Sequence, residues 1–270
     1  MIHADSTLAR RLEGLIRAEF LRLATVAPTA LPGAPAECIE VGSGVALWLG
    51  EGSPVNLAVG LGMDGPAEER QLERVEAFYR DRGAQAVLSL CPLAHPSLLE
   101  DLGRRGWHVS GFEHLLVLEL ADVLGGSETL LPTGVEVRVC RPEERELWAH
   151  LAARGLSAEG RLEQRHEDFG AIMAAREDAV LSLAWVAKTP VATGALTLAG
   201  GVGWLSGDST LPGYRRRGIQ QAVQRHRVLL AKAAGCDMAV TEALPGGSSQ
   251  RNMERVGFRV AYTHVEFVKE

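Results

Sequence analysis

Apolar and polar positions follow two rhythms along the chain. Near the amino terminus, "STLARRLEGLIRAEFLRLA" sets Arg10, Arg11, Glu13, Arg17 and Glu19 between its apolar residues, the pattern of an amphipathic helix. In the second half, "PEERELWAHLAARG" and "RLEQRHEDFGAIMAAR" read as helices. "AVLSLAWVAK", "VATGALTLAG" and "GVGWLSGDSTL" read as strands, the first two joined at Thr189-Pro190. A helix is predicted after Gly218 through "IQQAVQRHRVLLAKAA", stopped by Gly235. Strand "DMAVTEA", helix "SSQRNMERVG" and strand "FRVAYTHVEFVK" complete a mixed α/β sheet.

The two halves echo each other. The first ends "GAQAVLSLCPLAHPSLLEDLGRRGWHVSGFEHLLVLEL" and the second "GCDMAVTEALPGGSSQRNMERVGFRVAYTHVEFVKE". Each gives a glycine turn, a short apolar strand, a loop, a helix, a Gly-aromatic pair (Gly106-Trp107, Gly257-Phe258) and a last strand. This predicts a tandem repeat of one α/β domain, each copy a mixed central sheet flanked by helices. A Gly/Ser/Pro-rich linker near residues 121–134 separates residues 1–122 from residues 135–270.

Composition narrows the class. The chain has 270 residues, 46% hydrophobic and 23% charged, with a formal net charge of −6, as in a globular protein with ample core. That acidic balance argues against a nucleic-acid partner. No run approaches the roughly 18 apolar residues of a membrane span, and the first helix is no secretory segment, so a cytoplasmic protein is expected. Cys38, Cys91, Cys140 and Cys236 form no CxxC pair, and His95, His108, His114, His150 and His166 lack ligand spacing; no metal site is expected.

Against this background, "STLPGYRRRGIQQA" places three arginines before a glycine where a strand gives way to a helix. A helix start offers unpaired N–H groups and a positive dipole end, and the arginines add donors, so the junction suits a pyrophosphate. Neither a Walker loop nor a GxGxxG fingerprint is present.

"RRRGIQ" resembles the (Gln/Arg)-x-x-Gly-x-(Gly/Ala) signature of the GNAT N-acetyltransferases, with Gln220 in place of the small last residue. "SSQRNMERVGF" is similar to that family's late helix. The resemblance is specific over residues 202–258 and implies acetyl-CoA as cosubstrate. Asp208 and Thr210 would meet the pantetheine arm and thioester. Arg215, Arg216, Arg217, Gly218, Ile219 and Gln220 would cradle the pyrophosphate, and Ser249 and Asn252 would lie near the pantetheine or adenine end. The family's frequent tyrosine acid falls on Met253, and Trp204 stands about where a fourth-strand acidic residue would be. Glu242 and Asp208 are the nearest carboxylates for proton transfer, with Tyr262 more distant. The resemblance implies direct attack by an amine of a small molecule or peptide in a ternary complex; a non-catalytic acyl-CoA-binding module is the alternative. In the first half the matching place carries Asp64, Glu68 and Glu69, which would repel pyrophosphate, so that copy is expected to be degenerate. The internal repeat points to a monomer or a homodimer.

Overall fold

The computed structural model describes residues 3–121, 123, 131–156 and 162–270. The elements run α1 (Ser6–Ala30), β1 (Glu37–Val41), β2 (Gly44–Trp48), β3 (Ala58–Val59), α2 (Glu69–Arg80), β4 (Ala86–Leu90), α3 (Ser97–Arg104) and β5 (His108–Glu119). After the expected linker, which lies largely outside the described residues, come β6 (Val135–Val139), α4 (Arg145–Leu156), α5 (Gln164–Ala175), β7 (Ala179–Val186), β8 (Thr189–Ala199) and β9 (Val202–Thr210). The chain ends with α6 (Ile219–Ala233), β10 (Met238–Ala243), α7 (Ser248–Val256) and β11 (Arg259–Lys269). Among the described residues no helix is long and apolar enough to cross a membrane.

Two compact units form: Met1–Leu115 with Ala261–Glu270, and Leu116–Val260. This corrects the division into consecutive halves. The final strand, expected to close the second copy, belongs with the first, where β11 pairs antiparallel with β4 from Val265↔Leu90 to Lys269↔Ala86. The physical reason lies in its side chains. Phe267 joins the core of the first unit with Leu72, Val75, Phe78, Leu88 and Trp107. On the neighbouring positions, Tyr262 Oη donates to Glu13 at 2.8 Å and His264 Nε2 lies 2.7 Å from the same oxygen, so α1 grips β11 through one buried carboxylate.

In the first unit β1, β2 and β3 pair antiparallel and β3 pairs parallel with β4. Helix α1 starts on Asp5, whose carboxylate accepts from the N–H groups of Thr7 (3.0 Å) and Leu8 (2.8 Å).

In the second unit β6, β7, β8 and β9 form an antiparallel meander, and β10 adds parallel to β9. The first hairpin turns at Ala187-Lys188, both with positive φ (47° and 70°), rather than at Thr189-Pro190. Two positive φ values give the tight turn whose twist matches the strands. Pro190 lies inside β8 opposite Trp185, beside a register shift, where the lost N–H is tolerated.

The repeat is visible in the backbone. Gly106 (φ 78°) and Gly257 (φ 119°) both end a helix in the left-handed region that glycine adopts freely. The following aromatic N–H then reaches back five residues, Trp107 to the Leu102 carbonyl (3.0 Å) and Phe258 to that of Met253 (3.1 Å). Trp107, Leu102, Phe258 and Met253 are all buried.

Candidate functional site

The second unit contains a strand pair that comes apart. The parallel register of β10 on β9 runs from Met238↔Val202 to Val240↔Trp204 and stops, although β9 continues to Thr210 and β10 to Ala243. Past the last paired residues, neither strand offers its backbone to the other.

Helix α6 begins at the end of β9. Arg215 is extended, Arg216 takes a positive φ of 61°, and Gly218 is left-handed at φ 74° and ψ 0°. A non-glycine residue with positive φ is uncommon and costs free energy, so the tertiary structure holds Arg216 in place. No side chain caps α6, which leaves its first-turn N–H groups facing outward beside the arginines. The start of α7, at Gly247, is likewise without a side-chain cap.

These elements wall a cleft of about 710 Å³. It is lined by β9 (Asp208, Ser209, Thr210), the arginine loop (Tyr214, Arg215, Arg216, Gly218), the first turn of α6 (Ile219, Gln220, Gln221), Gly155, and one face of α7 (Ser248, Ser249, Arg251, Asn252, Arg255). Of the residues expected to hold the cofactor, all but Arg217 line this cleft. Arg217 instead lies over the Tyr214 ring, 5.4 Å from its centroid. Arg215 is partly committed to the fold: its Nε donates to the Thr210 carbonyl (3.1 Å) and its Nη2 to that of Gly155 (3.0 Å), fixing the loop to β9 and α4.

Asp208 sits on the floor. Its Oδ1 accepts from both Gln220 Nε2 and Arg227 Nη2, while Gln220 Oε1 accepts from the Thr210 hydroxyl at 2.6 Å. Arg227 is fully buried and also donates to the carbonyls of Ala195 and Ser206, both at 2.8 Å. Burial pushes the Asp208 pKa up, against the pull of Arg227, Gln220 and the nearby Gln224 amide. Gln220, which replaces a small residue of the signature, thus ties the start of α6 to the end of β9. Its amide can satisfy a donor and an acceptor at once, which a small side chain cannot.

The other expected proton-transfer group, Glu242, is half-buried beyond the paired part of β10 and does not line the cleft. Met253 is core, packed with Phe258, Ala239 and Ala243. Tyr262 is hydrogen-bonded to Glu13 in the first unit and does not line this cleft. Arg251 and Arg255 are the functional candidates that sequence reasoning passed over. The signal was present, since positions 248, 251, 252 and 255 share one helical face. Among the described residues no group of three His, Cys, Asp or Glu side chains could hold a metal ion.

The matching region of the first unit is built differently. Only Ala58 and Val59 of β3 pair with β4, and the His95 N–H then donates to the Gly62 carbonyl at 2.8 Å, bridging the gap beyond. The start of α2 is self-capped, with Gln71 Oε1 accepting from the Glu68 N–H at 3.2 Å, and it carries acidic Glu69 in its first turn.

The second unit is thus an α/β unit in which parallel strands part and an arginine-bearing helix starts at the parting. No family model matches the sequence, and no curated protein does. Solved structures do match. A GCN5-related N-acetyltransferase from Kribbella flavida is 21% identical with a TM-score of 0.65, covering 93% of this chain and 95% of that one. A GCN5-related N-acetyltransferase from Sphaerobacter thermophilus is 15% identical, with a TM-score of 0.62 over 87% of this chain and 76% of that one. A tandem GNAT protein from the clavulanic acid biosynthesis pathway is 13% identical, with a TM-score of 0.59 over 92% and 87%. The chain has the GNAT acetyltransferase fold, in two tandem copies.

Proposed function

We propose that the second unit binds acetyl-CoA and transfers its acetyl group to an amine of a small molecule or peptide. The observation that carries this reading is the convergence of the parted β9 and β10 with the uncapped, arginine-flanked start of α6 in one cleft. The diphosphate would rest on the α6 N–H groups and Arg216, and the pantetheine arm would run along the unpaired edge of β9 at Asp208 and Thr210. Arg215 and Gln220 hold that cradle in shape, Ser249 and Asn252 flank it from α7, and Arg217 takes part through its charge.

In the reaction, the amine nitrogen attacks the thioester carbonyl carbon, the C–S bond breaks, and the amine gives up a proton. Asp208 is placed to receive it: its two hydrogen bonds end on Oδ1, and burial raises its proton affinity toward what a general base needs. The leaving thiolate takes its proton from solvent, since a thiol titrates above neutral pH and its thiolate is readily protonated by water. Positioning amine against thioester supplies much of the rate.

The core position of Met253, where a tyrosine acid would stand, favours a second reading: acyl-CoA binding without turnover. Incubation with acetyl-CoA and a panel of primary amines, with detection of free CoA thiol, separates the two. Thiol release that depends on amine and is lost in Asp208→Asn supports the enzyme. Tight binding without release across the panel leaves a binding module. The first unit, self-capped and bridged at the matching place, does not hold CoA in this reading.

A further inference from the structure

The cleft holds more positive charge than a diphosphate requires. Arg215, Arg216, Arg251 and Arg255 line it, and the one lining carboxylate, Asp208, is already matched by Arg227 from outside the lining. Two of these cations stand apart from the α6 start. Arg251 and Arg255 project from α7 four residues apart, about 6 Å along the axis, on the same face as Ser248 and Asn252. Both are exposed, and neither side chain makes an ion pair or hydrogen bond among the described residues. Gln221 Nε2 donates to Asn252 Oδ1 at 3.2 Å, holding this face of α7 opposite the first turn of α6. Two arginines thus lie along one cleft wall without a carboxylate partner among the described residues.

We propose that Arg251 and Arg255 form a second phosphate subsite that reads the 3′-phosphate of CoA, so that the protein distinguishes CoA from 3′-dephospho-CoA. This rests on the proposal that the cleft binds acetyl-CoA. The charge balance supports it. A diphosphate carries about two negative charges, which Arg216 and Arg215 match beside the α6 start. A phosphate monoester adds about 1.5 to 2 more near neutral pH, the charge of two further arginines. Guanidinium groups suit phosphate oxygens because their planar forks donate in pairs.

The test is calorimetric titration of CoA and of 3′-dephospho-CoA into wild type and into Arg251→Gln/Arg255→Gln. Both positions are exposed, so the variant should keep the wild-type melting midpoint. Wild type is expected to bind CoA at least tenfold more tightly than 3′-dephospho-CoA. The variant should bind 3′-dephospho-CoA as wild type does and bind CoA no better than that. Equal binding of both ligands by wild type overturns the subsite and leaves the CoA reading standing. A tenfold preference that persists in the variant overturns the assignment to Arg251 and Arg255. Binding of neither ligand removes the CoA reading and the subsite together.

Discussion

The Asp208–Arg227 pair makes an asymmetric prediction about stability. Arg227 has 0% side-chain exposure and Asp208, on the cleft floor, has 15%. Replacing Asp208 with alanine leaves a guanidinium buried with only neutral carbonyl partners from Ala195, Ser206 and Val223. Breaking a buried pair in this way costs about 3–5 kcal/mol. Replacing Arg227 with methionine instead leaves a carboxylate that cleft water can reach and that Gln220 still hydrogen-bonds, with three carbonyls losing a side-chain donor. That loss is about 1–3 kcal/mol. The double variant removes both charges, so its cost should fall short of the sum of the single costs by about 2 kcal/mol. Urea unfolding followed by tryptophan fluorescence suits this unit, because Trp148, Trp185 and Trp204 all lie in it. Equal single losses, or double-variant losses additive to within about 0.5 kcal/mol, would refute the pair as a coupled unit.

Three further outcomes are expected. Gly218→Ala forces a Cβ into the left-handed region, 3.3 Å from Pro132 Cγ, and should cost about 1–2 kcal/mol on thermal melting while weakening CoA binding more than the exposed Gly213→Ala does. In the first unit, burial works to raise the Glu76 pKa, yet hydrogen bonds from Arg105, Lys269 and Trp107 hold it down at about 2. A depressed carboxyl pKa stabilises the fold above the unfolded value near 4.5 and loses that contribution as pH falls toward 2; the sum is about 3 kcal/mol, and Glu76→Gln should flatten the stability–pH curve between those limits. Deleting residues 261–270 removes the strand paired with β4 together with Tyr262 and His264, which hold buried Glu13, and hydrogen exchange should then show the first unit unprotected.

Much of this molecule was legible in its sequence, and the gaps have physical causes. The elements from β7 to α7 followed from apolar runs punctuated by glycine and proline, because β7 to β10 are buried along most of their length and read as continuous apolar stretches. The arginine loop was readable since a turn, a glycine and a helix start specify their chemistry locally. The destination of β11 was not, because strand pairing is non-local: alternation in "RVAYTHVEFVK" marks a strand without saying which edge receives it. The hairpin at Ala187-Lys188 escaped notice because neither residue is glycine or asparagine. The role of Gln220 was equally hidden. A long side chain at a place for a small one reads as an intrusion until Thr210 and Asp208 are seen on either side of its amide. Arg251 and Arg255 were visible as a helical face, but only the fold turns that face toward the RRRG loop.

The central claim is that the second unit is an acetyl-CoA site, and thermal melting with and without acetyl-CoA, on wild type and on Gly218→Asp, tests it most directly. At 100 times its dissociation constant a ligand adds about 2.7 kcal/mol to stability. A rise in the wild-type midpoint that disappears in Gly218→Asp, where a carboxylate enters the cradle, is the predicted result. An unchanged wild-type midpoint at millimolar acetyl-CoA would contradict it, and the arginines before α6 would then be a charged helix entry with no phosphate to hold.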